Sequence, residues 1–290
     1  MDDAAKPALE VIDLWPDGPP TEGPELVEIS ETATMPNGVN LGRLRNVSKP
    51  TITVYRPAVA NGVGVIVVPG GGWRVLMWEH EGTDLVNWLT ERGYTAFLLK
   101  HRLAPTAPDK EQYEAESLAM SATLMTPRPA SQAPRHIADI LKDETTRFGR
   151  QIQVEDGIRA LQLVKQRAAE FGVDAGKVGM VGFSAGAFLC VDVALAEPGL
   201  AFIAPIYGGD VAGRPVPADA PPFFTCLALD DRLLFRIIEG AYFDWSNADR
   251  PAEIHVFRRG AHGFGMMKQG FPSDRWVDLF GDFMADLGLN

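Results

Sequence analysis

The sequence predicts an α/β fold: a doubly wound, mostly parallel sheet with helices on both faces and a small cap-like insertion. Three observations predict it. Short apolar runs rich in β-branched residues, such as Val63 to Val68 and Val178 to Val181, have the unbroken hydrophobicity of strands buried on both faces. Segments with apolar residues at helical spacing alternate with these runs along the chain. Polar or glycine-rich loops follow the strands, and in sheets of this kind sites form outside the carboxyl ends of strands.

In chain order, residues 1 to 45 are dense in proline, glycine and acidic residues, as in Leu14-Trp15-Pro16-Asp17-Gly18-Pro19-Pro20. An irregular arm is expected there, anchored to the body by Leu14 and Trp15. Arg45 to Pro57 reads as a first strand, with Ile52, Val54 and Tyr55 in a β-rich setting. Asn61-Gly62 is a turn before the buried Val63 to Val68 strand. His80-Glu81-Gly82 opens an amphipathic helix through Arg92, ended by Gly93. Tyr94 to Lys100 is the next strand. From residue 104 to 150, prolines at 105, 108, 127, 129 and 134 interrupt the pattern. Short helical pieces are expected at Glu111 to Met125 and His136 to Thr146, forming an insertion over the active-site face that is too short for a core of its own. Val154 to Phe171 is a helix stopped at Gly172. Strands follow at Ala201 to Tyr207, Phe223 to Leu229 and Glu253 to Phe257, with helices at Leu234 to Asp249 and from Asp274. One domain spanning residues 1–290 is expected.

Composition narrows the function classes. A formal charge of −11 over 290 residues, with no local basic run, argues against a nucleic-acid surface. No apolar run reaches the length of a membrane span. The opening Met1-Asp2-Asp3 lacks a basic region followed by an apolar run, so the expectation is a cytoplasmic protein as written; a trimmed secretory signal would look the same. Cys190 and Cys226 both lie in apolar segments and read as buried thiols.

The chemistry centres on Gly182-Phe183-Ser184-Ala185-Gly186, set between the Val178 to Val181 strand and an Ala-, Leu- and Val-rich helix running from Ala187 to Glu197. G-x-S-x-G alone is weak, but a strand before it and a helix after it are the surroundings in which a serine is held in a sharp turn. The hydroxyl then projects over the helix N-terminus, where free N–H groups stabilise developing negative charge. Pro69-Gly70-Gly71-Gly72-Trp73 follows another buried strand. Its glycines allow backbone amides to approach a tetrahedral intermediate, which makes Gly71, Gly72 and the amide of Ala185 the candidate oxyanion hole. Serine needs a base, and histidine titrates near working pH. Of five histidines, His262 alone sits in a late glycine-flanked loop at a strand end. Asp230-Asp231 follows the preceding strand and offers two carboxylates to orient the imidazole, Asp231 being preferred over Asp230. The order Ser, Asp, His is the one expected of this fold. A zinc site from His255 and His262 lacks thiol partners or a His-Glu helix pattern.

These motifs, with Leu14-Trp15-Pro16, Asn46 to Thr51, His80-Glu81-Gly82, Lys100-His101-Arg102-Leu103 and His255 through Gly265, resemble the α/β-hydrolase superfamily. Within it the chain is similar to esterases related to acetyl xylan esterases and short-chain carboxylesterases. The resemblance implies Ser184 as nucleophile, His262 as base and Asp231 as acid. It departs at Arg232, where relatives usually carry proline, and at His101, where many carry tyrosine; residues 106 to 150 do not match closely. A serine esterase acting on a small-molecule ester through an acyl-enzyme is expected, with no metal or organic cofactor needed. Trp73, Trp78, Tyr207 and Phe264 are candidate pocket walls, whose bulk fits a short acyl chain. A carbohydrate deacetylase, a serine peptidase and a catalytically silent binding module are the rivals.

Overall fold

The computed structural model describes residues 9–34, 38–124, 130–142, 144–231 and 233–290. Met1-Asp2-Asp3, Met125, Pro127, Pro129 and Arg232, all used above, lie outside the described residues.

The strands are β1 (Glu10–Asp13), β2 (Ile29–Thr34), β3 (Asn40–Arg45), β4 (Thr51–Tyr55), β5 (Gly64–Val68), β6 (Val75–Leu76), β7 (Thr95–Lys100), β8 (Val178–Phe183), β9 (Ile203–Ile206), β10 (Phe223–Ala228) and β11 (Ala252–Phe257). The α-helices are α1 (Asp84–Thr90), α2 (Lys110–Leu124), α3 (Glu144–Gln166), α4 (Ala185–Ala196), α5 (Phe235–Asn247) and α6 (Trp276–Asp286). Among the described residues eight strands form one sheet in the order β1-β4-β7-β5-β8-β9-β10-β11. Its first two pairings are antiparallel and the other pairings are parallel. This is the doubly wound, mostly parallel sheet that the alternation of elements predicts.

Side chains of β5 show why helices cover both faces. Val65 and Val67 join one core with Leu85, Val86 and Leu89 of α1 and Trp276, Phe280 and Met284 of α6. Ile66 and Val68 join a second core with Ala160, Leu161 and Val164 of α3 and Leu189, Val191 and Val193 of α4. The period-two alternation of a strand sends neighbours to opposite faces, so an unbroken apolar run requires a cover on each. Burying a valine or leucine side chain contributes about 1.5–3 kcal/mol, and all of those named on β5 are fully buried. Cys190 and Cys226 are free, buried thiols within these cores. Among the described residues no helix is long and apolar enough to cross a membrane.

Several sequence expectations need correction. Residues 1–45, expected as an irregular arm, carry β1, β2 and β3. β1 is an edge strand of the main sheet, while β2, β3 and β6 form a separate three-stranded sheet. β2 did not read as a strand because an inward position is Glu31, which turns its carboxylate to Arg43 and Arg45. The anchors are as expected: Leu14 is fully buried, and Trp15 Nε1 donates to Asp156 Oδ1 at 2.8 Å. The Arg45 to Pro57 strand is two elements, for Arg45 closes β3 and Asn46 turns at φ 56 before β4 begins. His80-Glu81-Gly82 lies in a π-turn over Glu79–Thr83 rather than in α1. Arg150 and the Val154 helix belong to one longer α3, which starts inside the expected insertion; Ile137–Asp139 is a single 3₁₀ turn.

Candidate active site

β8 ends at Phe183 and α4 starts at Ala185, so Ser184 alone makes the turn between them. Its backbone sits at φ 49, ψ −115, a conformation that costs a non-glycine residue about 1–3 kcal/mol. The flanking glycines permit it. A Cβ on Gly182 would overlap the backbone of Gly186 and the Cys190 sulfur, and one on Gly186 would overlap the carbonyl oxygens of Val68 and Pro69. Ser184 N donates to Ile206 O at 3.0 Å, fastening the elbow to β9.

Ser184 Oγ lies 2.8 Å from His262 Nε2, and His262 Nδ1 lies 2.7 Å from Asp231 Oδ2. A carboxylate only accepts, so Nδ1 donates to Asp231 and the Nε2 lone pair faces the serine hydroxyl. Asp231 is 1% exposed. Its second oxygen accepts from the amides of Leu233 and Leu234, each at 3.1 Å, where the chain enters α5. Burial works against its ionisation, but the imidazole beside it and these amides prevail and hold the carboxyl below its ordinary pKa. Burial likewise works against a charged His262, and the Asp231 carboxylate, with a smaller contribution from Glu81, prevails to raise the imidazole above 6.5.

The paired aspartates separate by geometry. Asp231 meets the ring, whereas Asp230 accepts from the amides of Gly260 at 3.1 Å and Ala261 at 2.8 Å, tying the His262 loop to the end of β10. The sequence preferred Asp231 over its neighbour, and the direction in which each side chain leaves the turn gives the two their separate partners.

The glycine loop passes beside the elbow. Gly71 and Gly72 have φ 134 and 63, values that favour glycine. The amides of Gly71, Gly72 and Ala185 donate to no acceptor among the described residues. Gly70 N instead donates to Glu81 Oε2 at 2.8 Å. Trp73, next in the loop, is buried in the core, with its ring 5.5 Å from that of Phe188. Trp78 is half-buried against Leu44, Val47, Leu76 and Leu103. Tyr207 and Phe264, expected as pocket walls, are fully buried. The Tyr207 ring lies edge-on to His262 at 5.3 Å and to Phe264 at 4.6 Å, and its hydroxyl donates to Glu81 Oε1 at 2.7 Å. Tyr207 thus packs against the imidazole, and Phe264 packs against Tyr207, as buried core groups rather than as an open wall. Glu81 went without a role in the sequence reading; His80-Glu81-Gly82 was noted only as a shared motif.

The remaining histidines have other surroundings. His101 is buried, with Nδ1 3.0 Å from Arg102 O, and burial lowers its pKa. His136 lies 3.4 Å from Asp210, and His255 lies 2.5 Å from Glu253 on β11.

No protein-family model matches the chain. An acetylxylan esterase of Xylanibacter ruminicola is 22% identical over 277 residues, covering 83% of this chain and 47% of its own length. The chain thus spans about half the length of this curated relative. Among solved structures, an acetyl ester-xyloside bifunctional hydrolase of Caldicellulosiruptor lactoaceticus superposes with a TM-score of 0.67 at 18% identity, covering 97% of each chain. An α/β-hydrolase enzyme from a deep-sea metagenome library gives 0.59 at 17% identity, over 90% of this chain and 98% of its own. Esterase 2 of Thermogutta terrifontis gives 0.56 at 17% identity, over 93% and 97%. At such identities the likeness speaks for architecture, and together with the strand order it shows that this chain has the α/β-hydrolase fold.

Proposed function

We propose that this protein is a serine carboxylic-ester hydrolase that cleaves short-chain acyl esters through an acyl-enzyme. One observation carries the proposal: the unbroken hydrogen-bonded chain from Ser184 Oγ through His262 to Asp231. His262 takes the serine proton as Oγ attacks the ester carbonyl, and Asp231 stabilises the imidazolium that forms. The amides of Gly71, Gly72 and Ala185 receive the oxyanion. The imidazolium returns its proton to the departing alcohol, and water activated by the same ring releases the acid. Trp73 and Trp78 border the acyl group, while Tyr207 packs against the imidazole and Phe264 backs Tyr207. The chain acts as one hydrolase unit, with the described residues 104–124 and 130–142, ahead of α3, as a cap; Ala133 and Ile137 of that segment pack in the same core as Trp73 and Phe188.

A carbohydrate deacetylase is the second reading, favoured by the names of the Xylanibacter and Caldicellulosiruptor proteins. Acetyl, butyryl and octanoyl esters assayed beside acetylated xylan separate the two. A short-chain esterase favours the acetyl and butyryl esters over the octanoyl one and over xylan, and a deacetylase releases acetate from xylan at comparable efficiency. A fluorophosphonate probe tests the mechanism shared by both. Mass spectrometry is expected to find the adduct on Ser184; a chain left unlabelled, or labelled elsewhere, counts against it.

A further inference from the structure

The π-turn over Glu79–Thr83 is the structural oddity nearest the site. Wide turns of this kind are rare and cluster at functional sites. This one buries two consecutive polar residues, His80 and Glu81, each 2% exposed or less. His80 O accepts from Met266 N at 2.9 Å, holding the chain just past His262. Glu81 reaches the other way: Oε2 accepts from Gly70 N at 2.8 Å and Oε1 from the Tyr207 hydroxyl at 2.7 Å. Its ionisable neighbours are His80, with Nε2 at 3.8 Å, Tyr207 and, without a direct hydrogen bond, His262. No lysine or arginine among the described residues pairs with it. A buried carboxylate incurs several kcal/mol of desolvation, which hydrogen bonds and nearby cationic groups must offset.

We propose, building on the ester-hydrolase reading above, that Glu81 is a positioning residue. Its carboxylate ties the glycine loop to the end of β9 and holds a fixed negative charge near the imidazole of His262. The loop that offers the Gly71 and Gly72 amides is thereby registered against the strand end whose tyrosine supports the His262 ring. Both halves of the site, oxyanion donors and base, share one anchor. The charge also favours the imidazolium that forms as Ser184 attacks; Asp231 and Glu81 are the two carboxylates that raise the His262 pKa. Tyr207 faces the same ring and remains a neutral phenol, its pKa pushed well up by burial and by Glu81.

The test uses the full chain and compares Glu81→Gln with the parent. Glutamine retains the shape, accepting from Gly70 through its oxygen and meeting Tyr207 through its amide, but removes the charge. The proposal expects kcat to fall about tenfold with KM changed by less than about twofold. It also expects the acid limb of kcat/KM to move to lower pH, and fluorophosphonate labelling of Ser184 to slow in parallel. A merely structural role would lower the melting temperature and leave the acid limb in place. A folded Glu81→Gln protein with the parent kcat and acid limb overturns the proposal. If Glu81→Gln does not fold, Tyr207→Phe decides: it keeps the ring and the charge but cuts the tie to β9. Its kcat is expected to fall about threefold or more while the acid limb does not move down; parental kcat overturns the proposal. Ser184→Ala separates this from the underlying reading. If Ser184→Ala still hydrolyses esters, the esterase mechanism itself fails; if it is dead and Glu81→Gln is unchanged, only the role of Glu81 fails.

Discussion

The Ser184 elbow and the His262 loop meet at a 2.8 Å contact, yet they are held in place by different physics. The elbow is fixed by exclusion. Gly182 and Gly186 lie against backbone that leaves no room for a methyl group, and packing on both sides enforces an unfavourable φ at Ser184. The His262 loop is fixed by charge. Asp230 accepts from two of its amides and Asp231 from its ring, while α6 reaches it through Trp276 Nε1, which donates to Gly265 O at 2.7 Å. On the proposed mechanism the sterically fixed nucleophile is insensitive to pH, and the base fixed by carboxylates is not. The difference implies that stability and activity respond separately when each region is altered.

His262→Ala breaks the charged side outright. A loss in kcat of about 10⁴-fold or more is expected in steady-state ester hydrolysis, with little change in melting temperature. Gly186→Ala breaks the steric side. It places a methyl group against the carbonyls of Val68 and Pro69, and a destabilisation above about 3 kcal/mol is expected in denaturant unfolding. Asp230→Ala sharpens the comparison by leaving Ser184, Asp231 and His262 in place. It strands the buried amide of Gly260 and frees the exposed one of Ala261 to water, and a cost of about 1 kcal/mol is expected, with kcat reduced and the Ser184 labelling rate falling in step.

The pH profile probes the charged side without mutation. On the proposed mechanism the neutral imidazole is the active form, and its pKa is raised, so the acid limb of kcat/KM is expected above that of an ordinary histidine. Stability follows the same signs. Asp231, lowered in the folded protein, contributes stability that is present above its unfolded pKa and lost as pH falls through the folded value. The raised His262 contributes below its unfolded pKa and loses that contribution as pH rises through the folded value. Leu118→Gln, on the exposed surface of α2, is expected to change stability by less than about 0.5 kcal/mol.

What was legible in the sequence follows the same division. Strands β5, β7, β8, β9 and β10, buried on both faces, announce themselves by continuous apolar runs, and the elbow by two glycines that sterics demand. β2 and β3 did not, because their pairing sets Glu31 between Arg43 and Arg45 and so breaks the alternation of apolar and polar residues. The grouping of Ser184, Asp231 and His262 followed from loops at strand ends. The division of labour between Asp230 and Asp231, the π-turn and the burial of Glu81 depend on side-chain directions that residue types do not encode. Tyr207 and Phe264 read as pocket walls because aromatics near a site look alike whether they face solvent or core.

The most direct measurement is to quench the reaction with an activated acetyl ester during its first turnover and locate the acyl group by peptide mass spectrometry. The proposed mechanism places it on the Ser184 hydroxyl, and expects neither acyl group nor turnover in the Ser184→Ala protein. An acyl group on another side chain, or sustained hydrolysis by Ser184→Ala, would contradict it.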